Sequence, residues 1–171
     1  MVRDIVIYPD KRLKLISQEV KEFDSELHSL LEDMYDTMLS KRGVGLAAIQ
    51  IGVAKRVLII NLPDENDDDA LPIKSETLEI INPVFIKKEG SCKHQEGCLS
   101  IPGIYEDIER SEHIVLEYQN RYGEKKTIED NDFLAIAIQH EIDHLDGKVF
   151  IEKLSFIKRK KFEKEWKKKF K

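Results

Sequence analysis

His140, Glu141 and His144 stand in a pattern that can do chemistry. Two residues four apart on a helix share one face, a turn apart, so both imidazoles can reach a single metal ion. Glu141 follows the first histidine directly, at the edge of that face. This is H-E-x-x-H, in which two histidines bind a metal and the glutamate moves protons for a water on it. The surroundings suit the motif. Asn131–Gly147, NDFLAIAIQHEIDHLDG, reads as a helix with Asn131 or Asp132 as N-cap and Gly147 in the C′ position. Its first turns, Phe133–Ile138, are apolar on every face, as in a buried helix. Ionisable side chains on such a helix are costly unless something pairs or ligates them. Asp143, on the far side of the turn between the histidines, reads as a structural group that orients polar neighbours.

A metal needs more than two protein ligands to stay in place, so a third is expected elsewhere. Segment 90–102, GSCKHQEGCLSIP, offers Cys98, with Gly97 before it and Leu99, Ile101 and Pro102 after it. Cys92 and His94 are rivals in less structured surroundings.

Other elements must position these groups. Residues 1–20 read as extended, with a turn at Pro9 and Asp10. Asp24 then caps a helix in which Leu27, Leu30, Leu31, Met34 and Met38 form a core stripe, and Gly43 ends it. His28 on this helix reads as a surface residue. Residues 43–52, GVGLAAIQIG, lack the spacing of a phosphate loop. They read either as a close-packed strand or turn, or as a backbone surface for an extended ligand. Gln50 within them is an amide in an apolar run and needs a partner or a purpose. Residues 56–61 and 78–87 read as strands, the second broken at Pro83. Between them lies the acidic loop 62–77, whose Asp67–Asp69 run lacks the glycine and distal glutamate of a calcium loop. Residues 113–119 and 124–128 form a hairpin leading into the histidine helix. Ser155 caps a last helix with Phe162, Trp166 and Phe170 every fourth residue.

Composition bounds the class. A chain of 171 residues, 41% hydrophobic and 36% charged, is expected to form one globular domain over 1–171 with a heavily charged surface. No apolar run approaches the roughly 18 to 20 residues of a membrane helix. The N-terminus shows no h-region, so a cytoplasmic protein with no membrane partner is expected. Two cysteines make no disulfide framework. Charge is uneven: 153–171 hold ten basic and two acidic residues, the rest 18 and 31. A basic C-terminal helix on an acidic body could touch ribosomal RNA, or could be a solvated lysine face.

Gly43–Gln50, Glu96-Gly-Cys-Leu-Ser100 and Gln139-His-Glu-Ile-Asp-His-Leu145, in this order, closely resemble the three motifs of the peptide deformylase family. Tyr8-Pro9-Asp10 with Leu13 is also similar, and the 62–77 loop is longer and more acidic than the family's usual one. The resemblance implies a compact α+β fold, with antiparallel sheets around a central metal-binding helix and a C-terminal helix. It implies removal of the N-formyl group from the initiator methionine of new polypeptides, with formate released. It implies Cys98, His140 and His144 as ligands of one divalent ion, ferrous iron, with nickel, cobalt or zinc able to replace it; spacing alone points to zinc. Glu141 would carry protons, while Gln50 and the backbone N–H of Leu99 would stabilise the oxyanion. Gly45 resembles the position that hydrogen-bonds the substrate backbone. Val44, Phe133 and Ala137 are expected to line the methionine pocket. The runner-up is a zinc endopeptidase of the H-E-x-x-H type, and a structural metal domain is the non-enzyme alternative.

Overall fold

The computed structural model describes residues 1–63, 66 and 69–169. Asp67 and Asp68 of the acidic run, and Phe170 of the aromatic stripe, lie outside them. Among the described residues three α-helices and seven strands follow in order: α1 (Ser25–Ser40), β1 (Gly45–Ala47), β2 (Val57–Ile60), β3 (Leu78–Glu89), β4 (Cys92–Cys98), β5 (Ile101–Arg110), β6 (His113–Gln119), β7 (Lys125–Asp130), α2 (Phe133–Leu145) and α3 (Phe156–Lys169). The fold is α+β. One antiparallel sheet runs β1-β2-β3-β6-β7, and β4 with β5 forms a separate hairpin.

Strand β2 explains the layering. All four of its residues are buried, and alternate side chains point to opposite faces. Val57 and Ile59 pack with Leu27, Leu31, Met34 and Met38 of α1. Leu58 and Ile60 pack with Ala135, Ala137, Ile138 and Ile142 of α2. The sheet is thus clasped between two helices, and α2 is deep in the molecule as its apolar first turns require. Only its first residues emerge; Phe133 is 39% exposed. A third cluster joins Ile101 and Ile108 of the hairpin to Phe150 and Ile151, and to Phe162 and Trp166 of α3. The rings of Phe162 and Trp166 lie 5.6 and 5.9 Å from that of Tyr8, so the basic helix is packed on the body.

Local chemistry differs from expectation in five places. Asp132 takes the N-cap position of α2, but its side chain makes no capping bond; the Asp130 carboxylate accepts from Asp132 N–H and Ala135 N–H instead. Asp130 ends β7, and the chain reversal sets its charge over the helix N-terminus, where the dipole favours it. At the other end the expected C′ glycine is present: Gly147 N–H bonds His144 C=O and Lys148 N–H bonds Asp143 C=O, a Schellman closure. In α1, Arg42 rather than Gly43 takes the left-handed conformation. Gly43 serves close approach, since a Cβ there would meet Leu99 Cδ1 at 2.8 Å. Strand β3 continues past Pro83 through a register shift, with Asn82 at φ 51° and its amide bonding both Val20 N–H and C=O. His28 is half-buried, its ring nitrogen 3.0 Å from the Arg121 carbonyl. The β4–β5 hairpin was not foreseen as strands, because its outward residues are charged and its apolar alternation is sparse.

Candidate metal centre and cavity

Cys98 ends β4, and Leu99–Ser100 form the turn that leads to β5. That turn faces the second half of α2. The ligand atoms of Cys98, His140 and His144 lie within 4.8 Å of one another, and among the described residues this is the group of His, Cys, Asp and Glu that could hold a metal. The span suits one ion at metal–nitrogen and metal–sulfur distances of roughly 2.0–2.3 Å. Cys98 Sγ is 3.3 Å from His144 Nε2. Cys92 and His94 are elsewhere: Cys92 sits at the far end of the hairpin opposite Arg110, and His94 is exposed with its ring against Phe133.

The residues present fit a cation. His140 Nδ1 is 2.8 Å from Glu96 Oε1. A carboxylate only accepts, so Nδ1 carries the proton and the lone pair of Nε2 is left for a metal. His144 Nδ1 and Glu141 Oε2 are buried without a hydrogen-bond partner among the described residues. Burial pushes His144 well below its ordinary pKa. Burial would also lower His140, but hydrogen bonds to Cys98 and Glu96 outweigh it and push that imidazole well up. The cluster therefore favours one positive charge at its centre, which a proton or a metal ion can supply. Burial raises Glu141 to about 7, a value at which a carboxyl group can take and return a proton near neutrality.

A buried ion-pair chain holds this arrangement, and motif reasoning passed over most of it. Arg110 Nε and Nη2 donate to the two oxygens of Glu96 at 2.8 and 2.7 Å, and Nη1 donates to Asp143 at 2.5 Å. Burial alone would raise Glu96, but Arg110 and His140 hold it at about 2. One guanidinium thus ties β4 and β5 to α2, and Glu96 passes the alignment to His140. Asp143 has the orienting place expected of it. The available signal for Glu96 was its place two before Cys98, in the segment Glu96–Ser100 that carries the resemblance. Nothing in the sequence marks Arg110.

Gln50 lies in the 3-10 turn Ala48–Ile51 that follows β1 and is 1% exposed. Its Oε1 accepts from Ala47 N–H at 2.9 Å, which settles the amide's orientation. Nε2 then points to the Cys98 turn, donating to Ser100 Oγ at 3.2 Å and to Cys98 Sγ at 3.5 Å. Gly45 is tight against the acid, since a Cβ there would stand 3.1 Å from Glu141 Oε1. A cavity of about 620 Å³ brings together Val44, Gly45, Gln50, Cys98, Leu99, Phe133, Ala137, His140 and Glu141. His144 lies beneath its floor, fully buried.

An α+β fold whose buried H-E-x-x-H helix meets a cysteine beside an open cavity is that of a metal-dependent hydrolase. The family model of polypeptide deformylase matches residues 2–160. A Helicobacter pylori (strain P12) peptide deformylase is 56% identical over 164 residues, spanning 96% of this chain and 92% of that protein. The Campylobacter jejuni peptide deformylase is 55% identical over 170 residues, spanning 99% and 95%. Among solved structures, the Legionella pneumophila peptide deformylase superposes with a TM-score of 0.88 at 40% identity, covering 98% of this chain and 95% of the other. That of Ehrlichia chaffeensis in complex with actinonin gives 0.88 at 41%, covering 98% and 97%. The chain belongs to the polypeptide deformylase family. It is a metal-dependent enzyme that removes N-formyl groups, and the endopeptidase and structural-domain alternatives are set aside.

Proposed function

We propose that Cys98, His140 and His144 hold one divalent ion, ferrous iron, and that Glu141, Gln50 and Leu99 carry out deformylation around it. The observation that supports this most is the meeting, on one cavity, of a soft three-donor set with a buried free acid and an oriented amide. Sulfur with two imidazoles disfavours hard ions such as magnesium, and zinc, nickel or cobalt could replace iron. When bound, such an ion supplies Lewis acidity and an acidified water at neutral pH.

The chain's own residues do the rest. Glu141 takes the proton of the attacking water and returns it to the departing amine. Gln50 Nε2 and the backbone N–H of Leu99 donate to the formyl oxygen as it becomes negative. The amide is preset by Ala47 N–H, so it needs no reorganisation at the moment of reaction. Val44, Phe133 and Ala137 line an apolar recess for the methionine side chain, and Gly45 pairs with the substrate backbone as a strand would. The whole of 1–171 acts as one catalytic domain; each of the three core clusters contributes to the cavity, through Leu99, Ala137 and Ile101. The substrate is the N-formylmethionyl end of a newly made polypeptide.

Protein purified anaerobically is expected to carry close to one iron by elemental analysis and to release formate from formyl-Met-Ala-Ser much faster than from formyl-Asp-Ala-Ser. Equal rates on the two would remove the methionine recess. Internal peptide cleavage without formate would remove the whole reading.

The cytosol is the compartment proposed, because a ligand cysteine and a second free thiol need reducing surroundings. Among the described residues no helix is long and apolar enough to cross a membrane. The lysine face of α3 is proposed to contact ribosomal RNA; Lys160, Lys164, Lys167 and Lys168 are exposed while Phe162 and Trp166 are buried. Changing those four lysines to glutamate is expected to abolish salt-sensitive ribosome co-sedimentation and to spare formate release. Unchanged co-sedimentation would sink the contact.

A further inference from the structure

Two cations stand at the mouth of the catalytic cavity. Of the charged side chains that line it, Glu96 is tied to Arg110 and His140, while His140 and Glu141 belong to the centre itself. The remaining two are Lys41 and Arg42, both exposed. Among the described residues neither side chain makes a hydrogen bond or an ion pair; their backbone N–H groups alone are engaged, by Thr37 C=O and Leu39 C=O. Arg42 also lines the adjoining groove, with Asp69 and Glu76, which temper its field; Lys41 lines the catalytic cavity alone.

The pair is held beside the chemistry by contact. Gly43, the next residue, is tight against Leu99, and Leu99 follows Cys98 directly. Gly43 N–H bonds Met38 C=O, which locks the turn to the end of α1. Arg42 takes φ 55°, a left-handed conformation that glycine or asparagine adopts more easily. A long charged side chain kept on strained backbone at a cavity rim points to a use for that side chain. Its sign is also exceptional in its setting, since residues 1–152 carry 18 basic and 31 acidic side chains.

Resting on the reading that the formylated methionine is held beside Gly45 and Glu141, we propose that Lys41 and Arg42 select substrates with acidic side chains at the third and fourth residues. Size carries the assignment. A cavity of about 620 Å³ is roughly 10 Å across, and the third and fourth residues of an extended peptide lie about 7 and 10 Å beyond the first, which brings them to the mouth. Charges interact over about 8 Å in physiological salt, so the selection needs nearness and no fixed register.

The test compares kcat/KM for formate release from C-terminally amidated formyl-Met-Ala-Glu-Glu, formyl-Met-Ala-Ser-Ser and formyl-Met-Ala-Lys-Lys. The iron-loaded enzyme is expected to favour the Glu-Glu peptide over the Lys-Lys peptide by about fivefold in low salt, the factor that exposed charge pairs supply, and to lose most of that gap in about 0.5 M salt. Lys41→Gln with Arg42→Asn is expected to bring the ratio close to one. Lys41→Glu with Arg42→Asp is expected to invert it, asparagine and aspartate both tolerating the left-handed region. Each variant is read against its own Ser-Ser rate, so a variant that is merely less active does not imitate the loss. A native ratio near one, or a ratio that survives in both variants, would overturn the selection while the Ser-Ser peptide still yields formate. No formate from any of the three peptides would overturn the underlying reading of the site instead.

Discussion

Glu141→Gln is expected to lower kcat for formate release by about 10²- to 10⁴-fold with the metal content unchanged. Glutamine keeps the shape of the side chain and loses the capacity to carry a proton. Glu141 is 6% exposed, its Oε2 has no partner among the described residues, and its Oε1 stands 3.9 Å from His140 Nε2. The carboxylate is thus spent on no structural contact that its removal would break. The change should fall on kcat and not on KM, because the proton is moved only as the tetrahedral state forms and collapses. Elemental analysis beside single-turnover kinetics is the measurement. Activity within about threefold of the native enzyme would show that another group moves the proton. Loss of the ion together with activity would make Glu141 a ligand.

Arg110→Met is expected to destabilise the protein by about 3–5 kcal/mol, the usual cost of removing one partner from a buried ion pair. Arg110 is 5% exposed and its fork is filled on both sides, by Glu96 and by Asp143. Methionine fills the space and leaves two carboxylates without their cation. Denaturant titration reads the loss as a lower midpoint at unchanged slope. A second change, Glu96→Gln, removes one of those charges, so the double variant should lose less than the sum of the single losses. The same variant should release its metal to a chelator faster, since weakening the partner of a ligating histidine commonly costs about 10- to 100-fold in affinity. A loss under about 1 kcal/mol with metal retention unaltered would mean the chain of charges is incidental to the site.

Much of the chemistry was legible in the residues themselves. The i, i+4 spacing of His140 and His144, with Glu141 between them, defines a helix face on its own, because helical geometry depends only on local backbone dihedrals. The apolar first turns of α2, the C′ glycine at 147 and the α1 stripe of Leu27, Leu31, Met34 and Met38 were readable for the same reason. Cys98 was chosen as the expected third ligand from its surroundings and the need for more than two donors, while the catalytic use of Gln50 rested on resemblance; no local rule ties positions 50, 98 and 140 together.

Only the tertiary structure decided the rest. Asp132 holds the N-cap position as expected, but the capping carboxylate is that of Asp130, because a strand end happens to pass over the helix start. Gly43 was read as a helix stop and proved to be a space for Leu99, a distinction that depends on a residue far along the chain. Glu96 and Arg110 are ordinary surface residue types until folding buries them together, with a half-buried Asp143 in reach. The amide of Gln50 acquired a direction only when Ala47 N–H engaged its oxygen. Periodicity and capping are short-range properties that a sequence carries openly. The pairing of distant charges and the shape of a cavity depend on which segments the core brings into contact, and that is settled by packing across the whole chain.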